Sequence, residues 1–519
     1  MRSLYALILF ASVILWSSCR NDFETVSSTG SLEFSKDTVF LDTVFTNIGS
    51  STYNLKVYNR GNDDINIPAI QLAQGESSLY RLNVDGIPGK TFQDIVIRAK
   101  DSIFVFVETT VDIEGLANSN NQFLYTDQIQ FDSGANQQDV ELVTLVQDAV
   151  FLFPARAADG TVETLNLGVD ADGEDVLIEG FFLEDDQLNF TNEKPYVIYG
   201  YAAVGPGKTL TLDPGARVHF HANSGILVAN TGSMQANGSP STDPIALENE
   251  VIFEGDRLEP TFADVPGQWG AIWLTQGSTG HVFTNTTIKN GTVGILMDSN
   301  DGTTDPTLTL RNTQIYNSSN VGLLARTGFV DGENVVINNS GQTALSLSYG
   351  GNYNFRHSTF VNYWTDSFRS FPAVQIDNIF VVSEEDIRTL DLIAANFTNC
   401  IIGGNENIEL GLIDSGAAAF NYNFTNCLIR FNDVQGVFDE VALYDFTNTA
   451  NYTNVVLNEE PDFLDPFNNQ LNISNDSGAN GIDSSGTPLV PFDILNVPRT
   501  SPFDAGAYES VVFPDETDG

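Results

Sequence analysis

The feature that most constrains the fold is a short motif that recurs through the second half of the chain. Residues 396–400 read Asn-Phe-Thr-Asn-Cys, and residues 423–427 repeat them without change. Aligning weaker copies on the second asparagine of the motif gives one column of Asn that contains a single His. Its members are Asn285, Asn312, Asn334, His357, Asn399, Asn426 and Asn454. They lie 22 to 28 residues apart, except for one step of 42, and such a repeat indicates a solenoid.

Around the column, residue types alternate with the period of two that β-strands have, and not with the 3.6-residue period of helices. The position three after the Asn is apolar in every copy. Short strands rich in β-branched residues, with Asn or Gly at the corners, predict a right-handed parallel β-helix. Its coils stack about 4.8 Å apart, so the Asn column is predicted to form a stabilising ladder of amide hydrogen bonds. The long step, at about residues 364–392, is expected to leave the stack as a loop or an extra coil.

The rest of the sequence divides into segments that extend this all-β prediction. Residues 30–148 show alternating strands about ten residues apart, which predicts an Ig-like β-sandwich of about seven strands. Residues 149–192 are predicted to connect the sandwich to the β-helix and to cap its first coil. The β-helix is predicted to span residues 193–460. Residues 461–513 are predicted to cap its open strand edges, and residues 514–519 to form an acidic tail.

The N-terminus carries the residues that predict location. Residues 4–16 form an apolar run of signal-peptide length, too short to span a bilayer comfortably. The two serines and Cys19 that follow resemble the lipobox of bacterial lipoproteins, whose Cys is acylated. We therefore predict a lipoprotein signal peptide at 1–18, an acylated linker at 19–29 and lipidation of Cys19. The alternative is an ordinary secreted protein in which this Cys is a coincidence.

Further segments carry a family resemblance. Residues 20–24 include an acidic cluster directly after Cys19, residues 194–197 read Lys-Pro-Tyr-Val, and residues 504–509 read Asp-Ala-Gly-Ala-Tyr-Glu. Together they resemble outer-membrane surface lipoproteins of Bacteroidota that carry a right-handed parallel β-helix, a pectate-lyase-like fold, and end in Asp-x-Gly-Ala-x-Glu. The resemblance implies that fold and a lipid-anchored, cell-surface location on the outer membrane. It implies no single activity.

The charge balance excludes one class of partner. The chain has 22 Lys and Arg against 68 Asp and Glu, a formal net charge of -46. Basic residues this few and scattered cannot neutralise a phosphate backbone, so we predict no nucleic-acid binding. The same charge repels polyanions. We therefore expect the outer membrane, reached through the lipid, and other surface proteins or neutral glycans as partners.

Catalysis is a candidate function, because β-helices often cleave polysaccharides. A polyuronate lyase needs a Lys or Arg base and a cation that neutralises the substrate carboxylate. Lys289 and Arg356 are the candidates for catalysis, with Arg311 and Arg326 as further outward cations. They are spread over several coils, and the sequence signatures of polygalacturonase-type hydrolases are missing from the coils.

Several residues are candidates for binding. Tyr363 and Trp364 are candidate ligand-binding residues that could form a sugar platform, whereas Trp269 and Trp273 are predicted to pack in the core or a loop. An acidic turn is a candidate site for Ca²⁺, the one cofactor that the sequence suggests. The alternative is a solvated loop. Its candidate ligands are Asp298, Asn300, Asp301 and Asp305.

Two pairs of residues are the remaining candidates, one for metal binding and one for a disulfide. His219 and His221 lie two apart on a strand, so both point to one face, and they are predicted to be exposed and to lack a third ligand. Cys400 and Cys427 occupy one column and are predicted to be two buried thiols, because parallel stacking fits disulfide geometry poorly.

These observations favour a non-enzymatic surface protein that serves as a binding or docking platform for surface proteins or neutral glycans. Two alternatives stay open. One is a polysaccharide-active β-helix enzyme, either a lyase or a glycoside hydrolase. The other is an accessory subunit of an outer-membrane complex.

Overall fold

The computed structural model describes residues 25–113, 122–170, 173–243, 246–300, 302–383 and 386–513. Within these residues the chain consists of β-strands joined by turns and a few short 3₁₀ helices, which confirms the all-β prediction. The 3₁₀ helices are Gly75–Ser77, Gly134–Asn136, Asp185–Gln187, Pro260–Phe262, Ala442–Tyr444 and Pro466–Asn468. The chain forms two compact units, Met1–Asp148 and Ala149–Gly519. The predicted signal peptide, Cys19 and the acidic tail lie outside the described residues.

The described residues of the first unit form two sheets. One contains Val26–Ser27, Thr38–Phe45, Ile65–Leu72, Thr91–Ile97, Gln122–Phe131 and Gln138–Gln147. The other contains Glu33–Phe34, Tyr53–Tyr58, Tyr80–Val84, Ile87–Gly89 and Ser102–Thr109. Buried and exposed residues alternate along Ser102–Thr109, so one face of this strand meets the core and the other meets solvent. Both sheets contribute to a single apolar cluster.

The second unit is built on a long sheet of parallel pairs. Eighteen described strands belong to it. They are Val150–Leu152, Asn189–Phe190, Tyr196–Ile198, Thr209–Leu212, Arg217–Phe220, Ser233–Asn237, Val251–Gly255, His281–Lys289, Leu308–Ser318, Phe329–Ser340, Gly351–Arg356, Thr359–Asn362, Leu392–Thr398, Ile401–Gly404, Phe420–Thr425, Leu428–Ile429, Tyr452–Thr453 and Val456–Leu457.

A second sheet of ten described strands completes the framework of this unit. Its strands are Thr164–Val169, Asp175–Phe182, Tyr201–Val204, Gly225–Val228, Ile272–Leu274, Val293–Met297, Val321–Arg326, Thr343–Ser348, Val374–Asp377 and Leu410–Ile413. The first two strands form an antiparallel hairpin, and the later pairs are parallel. Two small antiparallel pairs are formed by Ile379–Val381 with Ile387–Thr389 and by Phe463–Asp465 with Gln470–Ile473.

Successive copies of the repeat pair in register. Thr286 pairs with Thr313 and Thr313 with Val335, each one copy further along the chain. From residue 355 onward, the position two before the column carries aromatic rings that stack in the core. In this stack Phe397 lies 5.1 Å from Phe424 between ring centroids. Like residues therefore lie over like, and the core of the unit is continuous along the sheet.

The column residues occupy a left-handed corner. All seven have φ between 42° and 55°. This conformation costs most L-residues about 1–2 kcal/mol, and Asn tolerates it better than most. Backbone geometry is thus a second reason for Asn at this position, beside the hydrogen bonding that its amide provides.

Amide hydrogen bonds connect the column in two runs. In the first, Asn312 donates to Asn285 at 3.2 Å and Asn334 donates to Asn312 at 2.8 Å. The second run lies further along the chain, where Asn426 donates to Asn399 at 3.1 Å and Asn454 donates to Asn426 at 2.9 Å; these two bonds continue the file to its last member.

A second, shorter ladder lies five residues after the column and was not anticipated. Asn317 donates to Asn290 at 3.2 Å, and Asn339 donates to Asn317 at 2.7 Å. All three residues again have positive φ. In these three copies, the position five residues after the corner therefore repeats the same device.

The main ladder changes its chemistry at His357. Its ring is fully buried, and its Nε2 lies 2.9 Å from Nδ2 of Asn399. Since the amide donates, the imidazole accepts there and is neutral. Burial, together with the positive charge of Arg499, lowers the pKa of His357 to about 2.

The C-terminal segment lies along the side of the long sheet, so the prediction that residues 461–513 cap its open end needs correction. Asn338 donates to the carbonyl of Pro466 at 2.8 Å, and the Gly506 amide donates to the carbonyl of Asn399 at 2.8 Å. Ala505, Ala507 and Tyr508 share an apolar cluster with outward residues of the sheet. The repeat leaves apolar side chains on this outer face, and the segment covers them.

Aromatic residues between the last strands pack at that end instead. Tyr444 lies 4.7 Å from Phe431, and Phe446 lies 4.6 Å from Tyr452, between ring centroids. They cover the last layer of the core.

A buried ion pair fixes the C-terminal segment at the change in the ladder. Arg499 is fully buried, and its Nη1 lies 3.1 Å from Oε1 of Glu509. Its Nη2 donates to Oδ1 of Asn334 at 2.9 Å and to the carbonyl of Gly506 at 3.1 Å. The side chain therefore joins the ending motif to the first run of the ladder.

We expect His357 to make stability depend on pH. The unfolded chain binds a proton near pH 6.5 that the folded chain excludes down to about pH 2, so this contribution is complete above pH 6.5 and is lost as pH falls. Replacing His357→Asn should remove a loss of up to about 1.4 kcal/mol per pH unit. Urea unfolding of both proteins at pH 7, 5.5 and 4.5 measures this. A constant difference between them would contradict the prediction.

We expect Arg499→Leu to destabilise the second unit by about 3–5 kcal/mol, because it leaves the Glu509 carboxylate buried without its partner. The segment at 461–511 should then become accessible to protease. Arg388→Leu is the matched control, since this pair with Asp386 is exposed and is worth about 0–1 kcal/mol. Urea unfolding and limited proteolysis with mass spectrometry measure both effects. Equal losses in the two variants would show that burial of the pair is unimportant.

Candidate functional site

A cleft of about 700 Å³ lies on the outer face of the ten-stranded sheet. Ile272 and Leu274 are fully buried and face the core, so Trp273 between them points to the opposite side, where it is half-buried. The hairpin of strands Thr164–Val169 and Asp175–Phe182 forms one wall. The hairpin of strands Ile379–Val381 and Ile387–Thr389 contributes the other. The segment at about residues 364–392, which was predicted to leave the stack, therefore supplies both a strand of the ten-stranded sheet and one wall of the cleft.

Asp298 orders one side of this cleft. Its Oδ2 accepts a hydrogen bond from the indole N–H of Trp273 at 3.2 Å. The guanidinium of Arg326 pairs with the same carboxylate, with Nε 2.6 Å from Oδ1 and Nη2 donating to Oδ2 at 3.1 Å. One carboxylate thus fixes the ring plane of Trp273 and the fork of Arg326, and the pair adds no net charge.

Aromatic and amide side chains form the rest of the lining. Tyr349 packs on Phe380 with ring centroids 5.4 Å apart, and both rings are half-buried. Asn230 and Gln276 are exposed beside them. Flat apolar surfaces next to neutral donors and acceptors suit a ligand that has both C–H faces and hydroxyl groups. A sugar ring has this character.

The two candidates for catalysis are held in separate ion pairs. Nζ of Lys289 lies 3.0 Å from Oε2 of Glu254. Nη2 of Arg356 lies 2.8 Å from Oδ1 of Asp331 and 2.8 Å from Oε1 of Glu333. Burial lowers the pKa of Arg356, but the bonds to both carboxylates outweigh this and raise it. Arg311 also pairs with Asp331 and Glu333, so these cations are balanced by carboxylates and form no common catalytic group.

The predicted sugar platform at Tyr363 and Trp364 is wrong. Trp364 is 7% exposed, and its indole N–H donates to Ser367 at 2.9 Å. Tyr363 is half-buried against Phe463 and Phe467, at ring-centroid distances of 6.1 and 5.5 Å. The local sequence does not show this packing, because its partners lie about a hundred residues further along the chain.

Among the described residues, the side chains of the acidic turn are not arranged as a cation site. The Asp298 carboxylate is engaged by Arg326, and Oδ1 of Asn300 accepts the Gly302 amide at 2.9 Å. Asp305 is exposed, and Asp301 lies outside the described residues. No group of three or more His, Cys, Asp or Glu in the described part of the chain is arranged to hold a metal ion.

The prediction that both histidines are exposed is wrong for His219. Its ring is 5% exposed, and Nδ1 donates to the carbonyl of Gly255 at 3.1 Å, because the next parallel strand packs against it. His221 lies 2.8 Å from Asp256 and stacks on Tyr199. Each histidine therefore serves packing and hydrogen bonding.

The buried-thiol prediction is confirmed. Cys400 and Cys427 are both free and buried. Trp269 is also in the core as predicted, where it stacks on Phe220 at 4.3 Å and donates to the carbonyl of Lys289.

Sequence reasoning missed the cleft. Trp273, Tyr349 and Phe380 come from three widely separated segments. The one local signal was the alternation around Trp273, which places it on the outward face of its strand. Which other rings share that face depends on pairing across about a hundred residues.

Comparisons with known proteins identify no relative. No family model matches the chain, and no curated protein matches it. A family 123 glycoside hydrolase from Clostridium perfringens, studied for glycolipid glycan hydrolysis, is 8% identical over 23% of this chain and 26% of that chain, with a TM-score of 0.15. The ASH / PapD-like domain 7 of human CEP192 is 13% identical over 25% of this chain and 92% of that chain, also with a TM-score of 0.15. Neither likeness supports an argument about this chain.

One further property concerns membranes. Across the residues that the structure describes, no helix is both long and apolar enough to cross a bilayer.

We expect Asp298→Ala to release the Trp273 ring. The indole N–H then loses its acceptor, so its proton should exchange with solvent at least about tenfold faster, in line with the loss of one charge-assisted hydrogen bond. NMR of protein labelled with ¹⁵N-tryptophan measures this, with the signal assigned by its loss in Trp273→Phe. Asp386→Ala, which removes the exposed partner of Arg388 on the other wall, is the control and should leave the rate unchanged. No acceleration in Asp298→Ala would show that the carboxylate does not hold the ring.

Proposed function

We propose that this chain is a surface lipoprotein that binds neutral glycans in the cleft of its second unit and does not cleave them. The observation that carries the proposal is the fixed group of Trp273, Asp298 and Arg326 on an outward sheet face, beside the Tyr349–Phe380 pair. Rings held in place before binding lose little conformational entropy when a ligand arrives. A regular β scaffold holds such a site more rigidly than free loops would.

The charge of the chain favours a neutral ligand. With a net charge of -46, the surface repels uronate polymers and other polyanions. Within the cleft, Asp298 balances Arg326, and Arg388 pairs with Asp386 at 2.8 Å. Recognition there depends on ring contacts and on hydrogen bonds with uncharged hydroxyls.

A polysaccharide-cleaving enzyme is the second candidate function. A lyase base must be free to take a proton from the substrate, whereas Lys289 and Arg356 are each engaged by carboxylates at about 3 Å. The Asp298 carboxylate in the cleft is engaged by the Arg326 guanidinium and by the Trp273 indole N–H, so its oxygens already have partners within the protein.

The architecture that we propose for this function is a right-handed parallel β-helix in the second unit and an Ig-like spacer in the first. Support comes from the in-register parallel pairing of successive repeats and from the shared core of the two sheets in the first unit. The lipobox-like residues before Cys19 support an acyl anchor in the outer membrane. Docking of another surface protein, including membership of an outer-membrane complex, is the remaining alternative.

We expect Trp273→Ala and Tyr349→Ala each to weaken glycan binding at least about tenfold, because central aromatic contacts are worth more than about 1–2 kcal/mol. Isothermal titration against a panel of neutral soluble glycans (mannan, xylan, β-glucan and their oligosaccharides) measures this. Phe368→Ala is the control, since this ring is 90% exposed and does not line the cleft. It should bind as the unaltered protein does.

Three results would count against the proposal. Binding that survives both cleft substitutions would place the ligand elsewhere. Chain cleavage of a panel member that is lost on Arg356→Ala or Lys289→Ala would favour the enzyme alternative. Co-purification of a stoichiometric membrane complex, without glycan binding, would favour the accessory-subunit alternative.

A further inference from the structure

A second cavity, of about 550 Å³, lies on the outer face of the long sheet. Its floor is formed by neighbouring strands, which present Glu250, Thr287, Lys289, Gln314 and Tyr316. It lies on a different sheet from the cleft, and no residue lines both. The volume falls within the range of about 300–1,000 Å³ typical of small-molecule pockets.

A chain of hydrogen bonds orients the polar groups on this floor. The Tyr316 hydroxyl donates to Oε1 of Gln314 at 2.5 Å, and Tyr508 donates to the same oxygen at 3.3 Å. Nε2 of Gln314 lies 3.4 Å from the Thr287 hydroxyl, which donates to Oε2 of Glu250 at 3.1 Å. Within the described part of the chain Oε1 of Glu250 receives no hydrogen bond, so it is available to a ligand.

Apolar side chains complete the cavity. Leu247 and Ile252 stand beside the carboxylate, and Ile494 and Leu495 from the C-terminal segment form a roof. The roof is held by Asp493, whose Oδ1 accepts the amides of Leu495 and Val497 at 2.9 and 2.7 Å. The site therefore offers polar groups below and apolar groups above.

The charges around the cavity are balanced. Lys289 pairs with Glu254 at 3.0 Å, and the positive charge of Arg217, whose Nη1 donates to the Glu250 backbone carbonyl at 2.5 Å, acts on the Glu250 carboxylate. Opposite charges this close leave little net field for an ion. Carboxylate and amide oxygens beside an ammonium group match vicinal hydroxyls, which both donate and accept.

We propose that this cavity is a second binding site, which takes a neutral monosaccharide or disaccharide between the Glu250 carboxylate and the Leu495 roof. The site is independent of the cleft. It encloses one end of a sugar chain, whereas the cleft is open along the sheet face.

Binding there also stabilises the docked C-terminal segment. A ligand that contacts both the floor and the roof binds only the docked form, so it shifts any opening equilibrium toward docking. At a ligand concentration of ten times Kd, opening is suppressed by a factor of about eleven, which is 1 + [L]/Kd. The amides of Gly506 and Ala507 report this opening, because their acceptors, the Asn399 carbonyl and the Thr359 hydroxyl, belong to the repeat.

Hydrogen–deuterium exchange of the full chain tests the proposal, with methyl glucoside, methyl mannoside, methyl galactoside, cellobiose, maltose and mannobiose as probes. We expect at least one probe to slow exchange of the Gly506–Ala507 peptide about tenfold at ten times its Kd. Glu250→Gln should weaken that effect at least tenfold, since it replaces a carboxylate acceptor by an amide of the same size. Leu495→Ala, which removes the roof contact, should weaken it as well.

Trp273→Ala is the matched control, because it disrupts the cleft and leaves this cavity intact. Protection of the Gly506–Ala507 peptide that persists in Trp273→Ala and is lost in Glu250→Gln supports the second site, whether or not the cleft binds glycans. Three results overturn it: no probe protects the peptide, protection is unchanged in Glu250→Gln, or protection is lost in Trp273→Ala. Unfolding curves of each variant without ligand show that the fold is retained.

Discussion

The second unit depends on one constraint, the left-handed corner that each copy of the repeat makes at the same place. At that corner the chain turns with φ near 50° in every copy, and Asn both tolerates the turn and donates its amide to the Asn of the neighbouring copy. Because the corner is fixed, the residues on either side fall into register, and the aromatic stack and the parallel pairing follow. A ladder of this kind stabilises the unit chiefly by excluding other registers.

The C-terminal segment docks at the level of His357, where the ladder residue changes from Asn to His. His357 accepts a hydrogen bond from Asn399 through a ring nitrogen, where the other members accept through an amide oxygen, and Arg499 binds the carbonyl oxygen of the Asn334 amide just before it. The Asp-Ala-Gly-Ala-Tyr-Glu ending then lies flat against the sheet. Gly506 there approaches Ile401 so closely that an added Cβ would lie 2.6 Å from its Cδ1, and Glu509 completes the pair with Arg499. The ending motif is thus explained by packing against the repeat.

Both ligand sites that we propose use the same scaffold in different ways. The cleft takes residues from the outward face of the ten-stranded sheet and walls from two hairpins, whereas the cavity lies between the long sheet and the C-terminal segment. In each, a carboxylate is oriented by fixed neighbours: Asp298 by Arg326, and Glu250 by Thr287. Repeated strands that pair in register suit this arrangement, since each repeat adds a new row of outward side chains to one surface.

The sequence alone determined the all-β class, the column from Asn285 to Asn454 and the burial of Cys400 and Cys427, because each of these follows from a short period or a local repeat. It did not locate the sites. The rings around Trp273, the ion pairs that hold Lys289 and Arg356, and the ring packing that covers Tyr363 join segments from twenty to over a hundred residues apart. Only the tertiary structure decided these contacts, since which outward residues become neighbours depends on the stacking of repeats and on where the C-terminal segment docks.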